Sequence, residues 1–431
     1  MIRKIILPLL LLALSSPALA QKQPLDTTSF VVVGGGLSAG YSAFQLIDKY
    51  QQDSYPVFMA KQMGAAFPLP LFDPIAPAQS GAPAPLPIFH EGDPVLLVSF
   101  NPLANLMPSV SQSVLRILPF PLFTFNVSVP LIKVTETIST RPALPFVREG
   151  NLKQTMINEI LGYPALVLDN PPSWSQIEYT EMMEPTFVVL ELGFGDVIDG
   201  ALSGDPSKIT PASSFATDYD TIATRLKNTF ANVLVLNVPD PTNTAYFTTI
   251  DAAAKLYKTS SATLMSTFGL QSGDLLTLGG LVEIGQQLSG RRSVANLASN
   301  SVLRASVVAA VRSAVQSYNS TVASAAQKNG FQTFDLNAFY KEAASSGVQA
   351  GSRTLGGSYL QGFFSRDGIF PTPTAHAVLA NRLLTLVNSA FNQNYTLVDV
   401  DSVAKRDDLV PKSTSQSGSQ ADQLLWLPSG K

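Results

Sequence analysis

The sequence predicts a three-layer α/β domain built on a parallel sheet, and three observations carry that expectation. Short, almost uninterrupted apolar runs recur at Phe30–Val33, Pro185–Leu192, Ala231–Val238 and Phe331–Asp335. Runs without the alternation of a half-exposed strand suit strands buried on both faces. Segments with helical spacing separate them, giving the strand–helix alternation of a doubly covered sheet. Glycines follow the first two runs, at Gly34, Gly35 and Gly36 and again at Gly193 and Gly195, where strand gives way to helix.

Each element follows in chain order. The first strand feeds a helix over residues 37–50. Residues 61–130 are rich in proline and large apolar side chains with little periodicity, and read as a Pro-rich insert of loops and short strands. The strand at 185–192 is followed by a helix over 219–230 and a third strand at 231–238. Residues 245–303 mix helical patches with glycine-rich turns such as Leu278-Gly279-Gly280. A long Ala- and Val-rich helix over 304–328 ends at Asn329-Gly330, as a glycine cap should. A fourth strand at 331–335 and an amphipathic helix over 374–391 complete a domain spanning 29–400. From 401 to 431 the chain turns polar and reads as a disordered tail, with an apolar patch from Leu424 to Pro428.

Composition limits the functions available. Hydrophobic residues make up 45% and charged residues 14%, with a formal net charge of -3. Without a basic excess, nucleic acid is not an expected partner. The N-terminus joins a basic Met1–Lys4 segment to an apolar run over Ile5–Leu14, then Ala18-Leu19-Ala20. That is the pattern of a signal peptide over residues 1–20, cleaved before Gln21, so the protein is expected to be exported, periplasmic or extracellular. No later stretch reads as an integral membrane span. The absence of cysteine excludes disulfides, thiolate metal sites and a lipid anchor on an N-terminal cysteine, and only two histidines argue against zinc. No metal and no cofactor is expected.

The glycine loop is the first motif with chemistry. Gly34-x-Gly36-x-x-Ala39, after a strand and opening a helix, fits a dinucleotide fingerprint, because bare glycines let a pyrophosphate approach a helix N-terminus. The fingerprint also asks for an acidic residue after a second strand. Here Pro56-Val57-Phe58-Met59-Ala60 leads to Lys61.

A second set of motifs points elsewhere. Val33–Tyr41 resembles the Gly-Asp-Ser-Leu-(Ser/Thr)-Ala-Gly-Tyr block of bacterial SGNH/GDSL hydrolases. Pro185–Val197 resembles the strand ending in Gly-x-Asn-Asp. Ala231–Thr242 resembles the strand ending in an Ile/Val-Pro-Asp step. Phe364–Thr372 resembles the last block, Asp-Gly-x-His-Pro-Thr. The four blocks occur in family order over roughly residues 29–400. The resemblance implies a flavodoxin-like arrangement and an esterase or lipase site in which a serine attacks an acyl carbonyl. A histidine oriented by an aspartate takes the serine proton, and aimed N–H donors hold the oxyanion.

This chain departs from that pattern where the chemistry lies. Gly36 stands at the serine position, Gly35 at the block's aspartate, Gly195 at the oxyanion asparagine and Phe370 at the histidine. Met156 falls at the oxyanion glycine if Asn151-Leu152 aligns with the family's Asn-Leu-x-x-Pro-Gly segment. Asp367 is retained without an imidazole to orient. Losing nucleophile, base and oxyanion donor together implies that acyl transfer has been abandoned, since a site stripped of its triad keeps only weak residual catalysis. The resemblance thus implies an exported pseudoenzyme acting as a binding or accessory protein. Its expected ligand is an amphipathic or anionic small molecule, with the anionic head at Gly34, Gly35 and Gly36 and with Ser38, Gly193, Asp196, Phe370 and His376 around it.

Two other functions stay open on the sequence. An active ester hydrolase could use Ser38 with His376, although Ser38 has a ready role in local backbone hydrogen bonding. His90, in the Pro-rich insert, is the other histidine. A nucleotide-cofactor protein could use the Gly34–Gly36 loop. Glu191 and Asp196 flank the Gly193–Gly195 loop after the 185–192 strand, where Asp196 reads as a loop-stabilising acceptor.

Overall fold

A computed structural model describes residues 24–73, 115–116, 121, 123–143, 151–162, 164 and 173–411. Residues 1–20, read as a signal peptide, His90, most of the Pro-rich insert and residues 412–431 lie outside them.

The central sheet contains β1 (Phe30–Gly34), β2 (Phe187–Glu191), β3 (Asn232–Leu236) and β4 (Gln332–Phe334), in that spatial order and all parallel. Every residue of β1 and β2 is buried, so successive side chains are covered on both faces, as their unbroken apolar character requires. One covering layer includes α1 (Tyr55–Met63) and a late helix, Pro373–Phe391. Phe391 of that late helix meets Phe187 of β2 at 6.2 Å between ring centroids. The other layer includes α2 (Gln176–Met182), α3 (Phe194–Ser203), α4 (Ala212–Asn228) and α5 (Ala305–Asn329), which pack on one another. We number the remaining two principal helices α6 (Leu336–Ser345) and α7 (Pro373–Phe391).

The long helix ends as expected. Gly330 adopts φ +72° and returns its N–H to the last carbonyls of α5. Residues 245–303 form a three-stranded antiparallel sheet (Phe247–Thr249, Leu275–Thr277, Val302–Leu303) with short helices between the strands.

Four sequence expectations are corrected. Residues 125–129, assigned to the irregular insert, run along the free edge of β1. Val32 N–H donates to the Phe125 carbonyl at 2.9 Å, Val127 N–H to Val32 at 3.0 Å and Val129 N–H to Gly34 at 3.0 Å. Their β-branched alternation is hidden between prolines. The helix expected over 37–50 stops at Ala39, because Gly40 takes a left-handed φ of +79° and lies so close to Gln51 that a Cβ would sit 2.8 Å from its Cα. The apolar Pro56–Ala60 run is part of helix α1, with Pro56 at the first-turn position it tolerates well. The tail begins later than 401: Val400–Arg406 is a helix on α7, with Val400, Val403, Leu409 and Val410 buried. Asp407 closes it by accepting from Thr374 N–H at 2.8 Å and Thr374 Oγ1 at 2.7 Å.

Candidate functional site

The four sequence blocks meet above the carboxyl ends of the strands. Gly36 and Phe370, 334 positions apart in the chain, are in contact: a Cβ added to Gly36 would lie 2.5 Å from Phe370 Cζ and 2.8 Å from Cε1. The ring therefore fills the space that any side chain at position 36 would enter. It is fixed edge-on against Tyr41 (5.4 Å between centroids) and Phe194 (6.0 Å), and is 2% exposed. Replacing Gly36 by alanine is expected to destabilise the protein by about 2 kcal/mol through overpacking. Combining it with Phe370→Ala should cost less than the sum of the two single changes, which a double-mutant cycle in urea would measure.

Asp367 shapes the loop that carries Phe370. Its Oδ1 accepts from the N–H groups of Ile369 (2.7 Å) and Phe370 (2.8 Å), and Oδ2 from Phe44 N–H (3.4 Å). Burial pushes its pKa up to about 6, against the pull of those donors. Asp367 thus orients the backbone of its own loop and sets the position of the Phe370 ring.

The glycine loop is already occupied by a carboxyl group, and that group belongs to the chain. Glu191, the last residue of β2, accepts at Oε2 from Gly35 N–H (3.1 Å), from Ser38 Oγ (2.9 Å) and from Ser38 N–H (3.4 Å). The approach needs a bare Gly34, where a Cβ would meet Ser38 Oγ at 2.5 Å and Glu191 Oε2 at 3.0 Å. Burial pushes the Glu191 carboxyl up to about 7, opposed by the N–H and hydroxyl donors. At the expected ligand positions Gly34, Gly35 and Gly36, the Gly35 N–H is engaged by the chain's own Glu191 and Phe370 packs on Gly36.

Ser38 and His376 do not form a dyad. Ser38 Oγ is 2.6 Å from the Tyr55 hydroxyl, while His376 Nδ1 accepts from Tyr55 N–H at 3.2 Å and its ring stacks on Tyr55. Both are buried, and burial pushes the His376 imidazole down to about 3, so it is neutral. The dinucleotide reading fails at its second element as well, since the expected second strand is helix α1.

The remaining positions are structural in their contacts. Gly193 opens α3 at φ +110°, pressed against Val238 and Phe215. Gly195 lies under backbone: a Cβ there would sit 2.2 Å from the Ile132 carbonyl oxygen. Asp196, pushed up to about 6 by burial, accepts from Val134 N–H at 2.9 Å and so pins the 131–134 segment over α3. Met156 is buried in the helix Leu152–Leu161.

Three contributors escaped sequence reasoning. Asn126 Nδ2 donates to the Ser38 carbonyl at 2.7 Å, Gln176 Nε2 to that of Gly34 at 3.0 Å, and Tyr55 joins Ser38 to His376. Glu191 carried a usable signal, a lone acid ending an apolar strand. A surface cavity of about 710 Å³, lined by Glu181, Arg225 and Phe230 among others, lies at the opposite, amino ends of the strands and does not reach Gly36.

No family model and no curated protein matches the chain. Among solved structures, LAE5, an alpha/beta hydrolase enzyme from the metagenome of Lake Arreo, Spain, is similar over 83% of this chain and 94% of its own, with a TM-score of 0.33 and 11% identity.

Proposed function

We propose that this chain is a non-catalytic protein on an SGNH/GDSL hydrolase-type scaffold, exported by its N-terminal segment, that acts as a binding or accessory protein. The observation that carries the loss of hydrolysis is the Phe370 ring on Gly36. An acyl-transfer site needs a nucleophile, a base within hydrogen-bond reach and room for a carbonyl between them and the oxyanion donors. Here the first is a glycine, the second a phenyl ring, and the ring fills the room. Gly195 offers no side-chain donor, and the nearest hydroxyl, Ser38, is bonded to Glu191 and Tyr55.

The scaffold assignment draws on strand order. With the 125–129 segment outside β1, the parallel segments run 2-1-3-4-5, the flavodoxin-like order. The glycine loop and the Asp367–Phe370 loop meet at the carboxyl ends of those strands, where open α/β sheets place their sites.

Purified mature protein assayed on p-nitrophenyl esters from acetate to palmitate should show turnover at the buffer rate across pH 6–9. Turnover well above buffer that disappears in Ser38→Ala would sink the proposal. Retention of a lipid or other small amphiphile through purification, read by native mass spectrometry, would support the binding role. Failure to bind across lipid and glycan panels would count against it.

A further inference from the structure

The helix Leu278–Leu288 runs out into an irregular surface loop. Every residue from Leu288 to Asn296 is exposed, the longest such run among the described residues, and none from Ser289 to Ala298 belongs to a helix or strand. Of the large apolar side chains that stand exposed among the described residues, Leu288 (45%) and Val294 (62%) both lie here. Two arginines in succession, Arg291 and Arg292, stand between them, followed by Ser293. The backbone is pinned on either side of that pair. Arg291 and Arg292 N–H groups both donate to the Gln286 carbonyl, at 2.9 Å and 3.2 Å. Ala295 N–H donates to Gln287 Oε1 at 2.7 Å and Ala298 N–H to Glu283 Oε2 at 3.2 Å, and both acceptor side chains are buried. Between the pins, the Ser293 and Val294 N–H groups meet no acceptor among the described residues.

An endoprotease lays its substrate out as an added strand and supplies main-chain partners of its own. Exposed backbone with few bonds to lose is the cheapest to present in that way. A specificity pocket that carries a carboxylate selects arginine by a charge-assisted pair. The other basic residues of the described chain are poorly placed for this. Nearly all lie in or at the ends of helices and strands. Lys258 sits in a turn closed by its N–H on the Lys255 carbonyl. Arg366 stands between buried neighbours, and its carbonyl accepts from the Tyr359 hydroxyl. Arg141 is followed by Pro142, whose ring fixes the backbone and removes the N–H.

We propose that the Arg292–Ser293 bond is a processing site, at which an arginine-specific endoprotease converts the chain to a two-chain form. Hydrolysis places the oxygen of water on the Arg292 carbonyl carbon, breaks the C–N bond and releases Ser293 as a new amino terminus. The two pieces stay together because each completes the core of the other. After the cut come β4, which pairs with β3, and Val302–Leu303, which pairs with Leu275–Thr277. Tyr318 of α5 stacks on Phe215 of α4 across the same division, at 4.0 Å between centroids. Separating the pieces would expose that apolar surface to water. The site does not depend on the loss of hydrolysis.

Brief digestion of the purified protein with trace trypsin, read by intact mass in denaturant and by amino-terminal sequencing, tests it. Among the described lysines and arginines the first cut should fall at the arginine pair, giving one piece that begins at Ser293. Size-exclusion chromatography in native buffer should show the two pieces eluting as one particle at the position of the uncut protein. Arg291→Gln with Arg292→Gln should slow this cut at least about a thousandfold, because a pocket built for a charged group rejects a neutral one strongly. Cuts elsewhere should keep their rates, and Arg292→Lys should still be cut. A chain that stays whole between residues 288 and 299, a first cut at any other described lysine or arginine, or cuts scattered along the chain overturns the site. Pieces that part without denaturant overturn the two-chain form.

Discussion

Replacing Gly195 by asparagine is expected to destabilise the protein by about 3 kcal/mol or more, at the upper end of overpacking effects. The reason is what the new side chain meets. Its Cβ would lie 2.2 Å from the Ile132 carbonyl oxygen and 2.8 Å from the Leu131 carbonyl oxygen, and backbone cannot swing aside as the tip of a side chain can. Retreat of the 131–134 segment would break the Val134 N–H bond to Asp196 and leave that buried carboxyl short of its donor, since its Oδ1 has no partner. Urea unfolding of Gly195→Asn and Gly195→Ala would measure it. Both should be affected, because the Cβ alone makes the clash; an alanine variant as stable as wild type would show that the segment gives way freely. The same clash means that the oxyanion asparagine implied at this position by the family resemblance cannot be restored here by one substitution.

The second large effect is an acid penalty from His376. Tyr55 N–H points at Nδ1, so a second proton on the ring would face a donor, and the buried Nε2 has no acceptor. Burial holds the imidazole at about 3, against an unfolded value near 6.5. The sign follows from proton counts. Below about pH 6.5 the unfolded chain binds a proton that the folded chain refuses until about pH 3, so this stability is present above 6.5 and is lost as pH falls through that window. At about 1.4 kcal/mol per unit, the loss from pH 6.5 to pH 4 is about 3 kcal/mol. Three carboxyls raised by burial, Glu191, Asp367 and Asp196, act in the opposite direction over part of the same range. A difference measurement isolates the histidine. His376→Asn keeps an acceptor for Tyr55 N–H and removes the titration. The gap in unfolding free energy between wild type and variant should shift by about 3 kcal/mol over that range, whatever the variant's constant offset. Parallel pH profiles for the two proteins would rule out a neutral buried imidazole.

Most of the sheet was legible because its signal is local. Val31–Val33, Phe187–Leu190 and Val233–Leu236 are apolar at every position, and a strand buried on both faces demands that pattern. Helix α5 was legible for the same reason, through its spacing and its Gly330 cap. Residues 125–129 were not, because a short polar alternation between prolines becomes a strand only once β1 offers its edge. The apolar run at 56–60 has no period that separates strand from helix; Pro56 in the first turn and the burial of nearly the whole helix decided for helix.

The site divides in the same way. Order and spacing of the four blocks were enough to expect Gly36, Asp367 and Phe370 at one place, and enough to see that a hydroxyl and an imidazole were missing there. The sequence by itself determined which side chains are available: no nucleophile at 36, no base at 370, no thiol anywhere. Only the tertiary structure decided what those absences became. Glycine leaves a space whose contents depend on residues hundreds of positions away, and packing to crystal-like density leaves little of it empty. Here Phe370 fills it from one side and Glu191 from the other, so a loop that could have offered its N–H groups to a ligand spends them on an acid of its own chain.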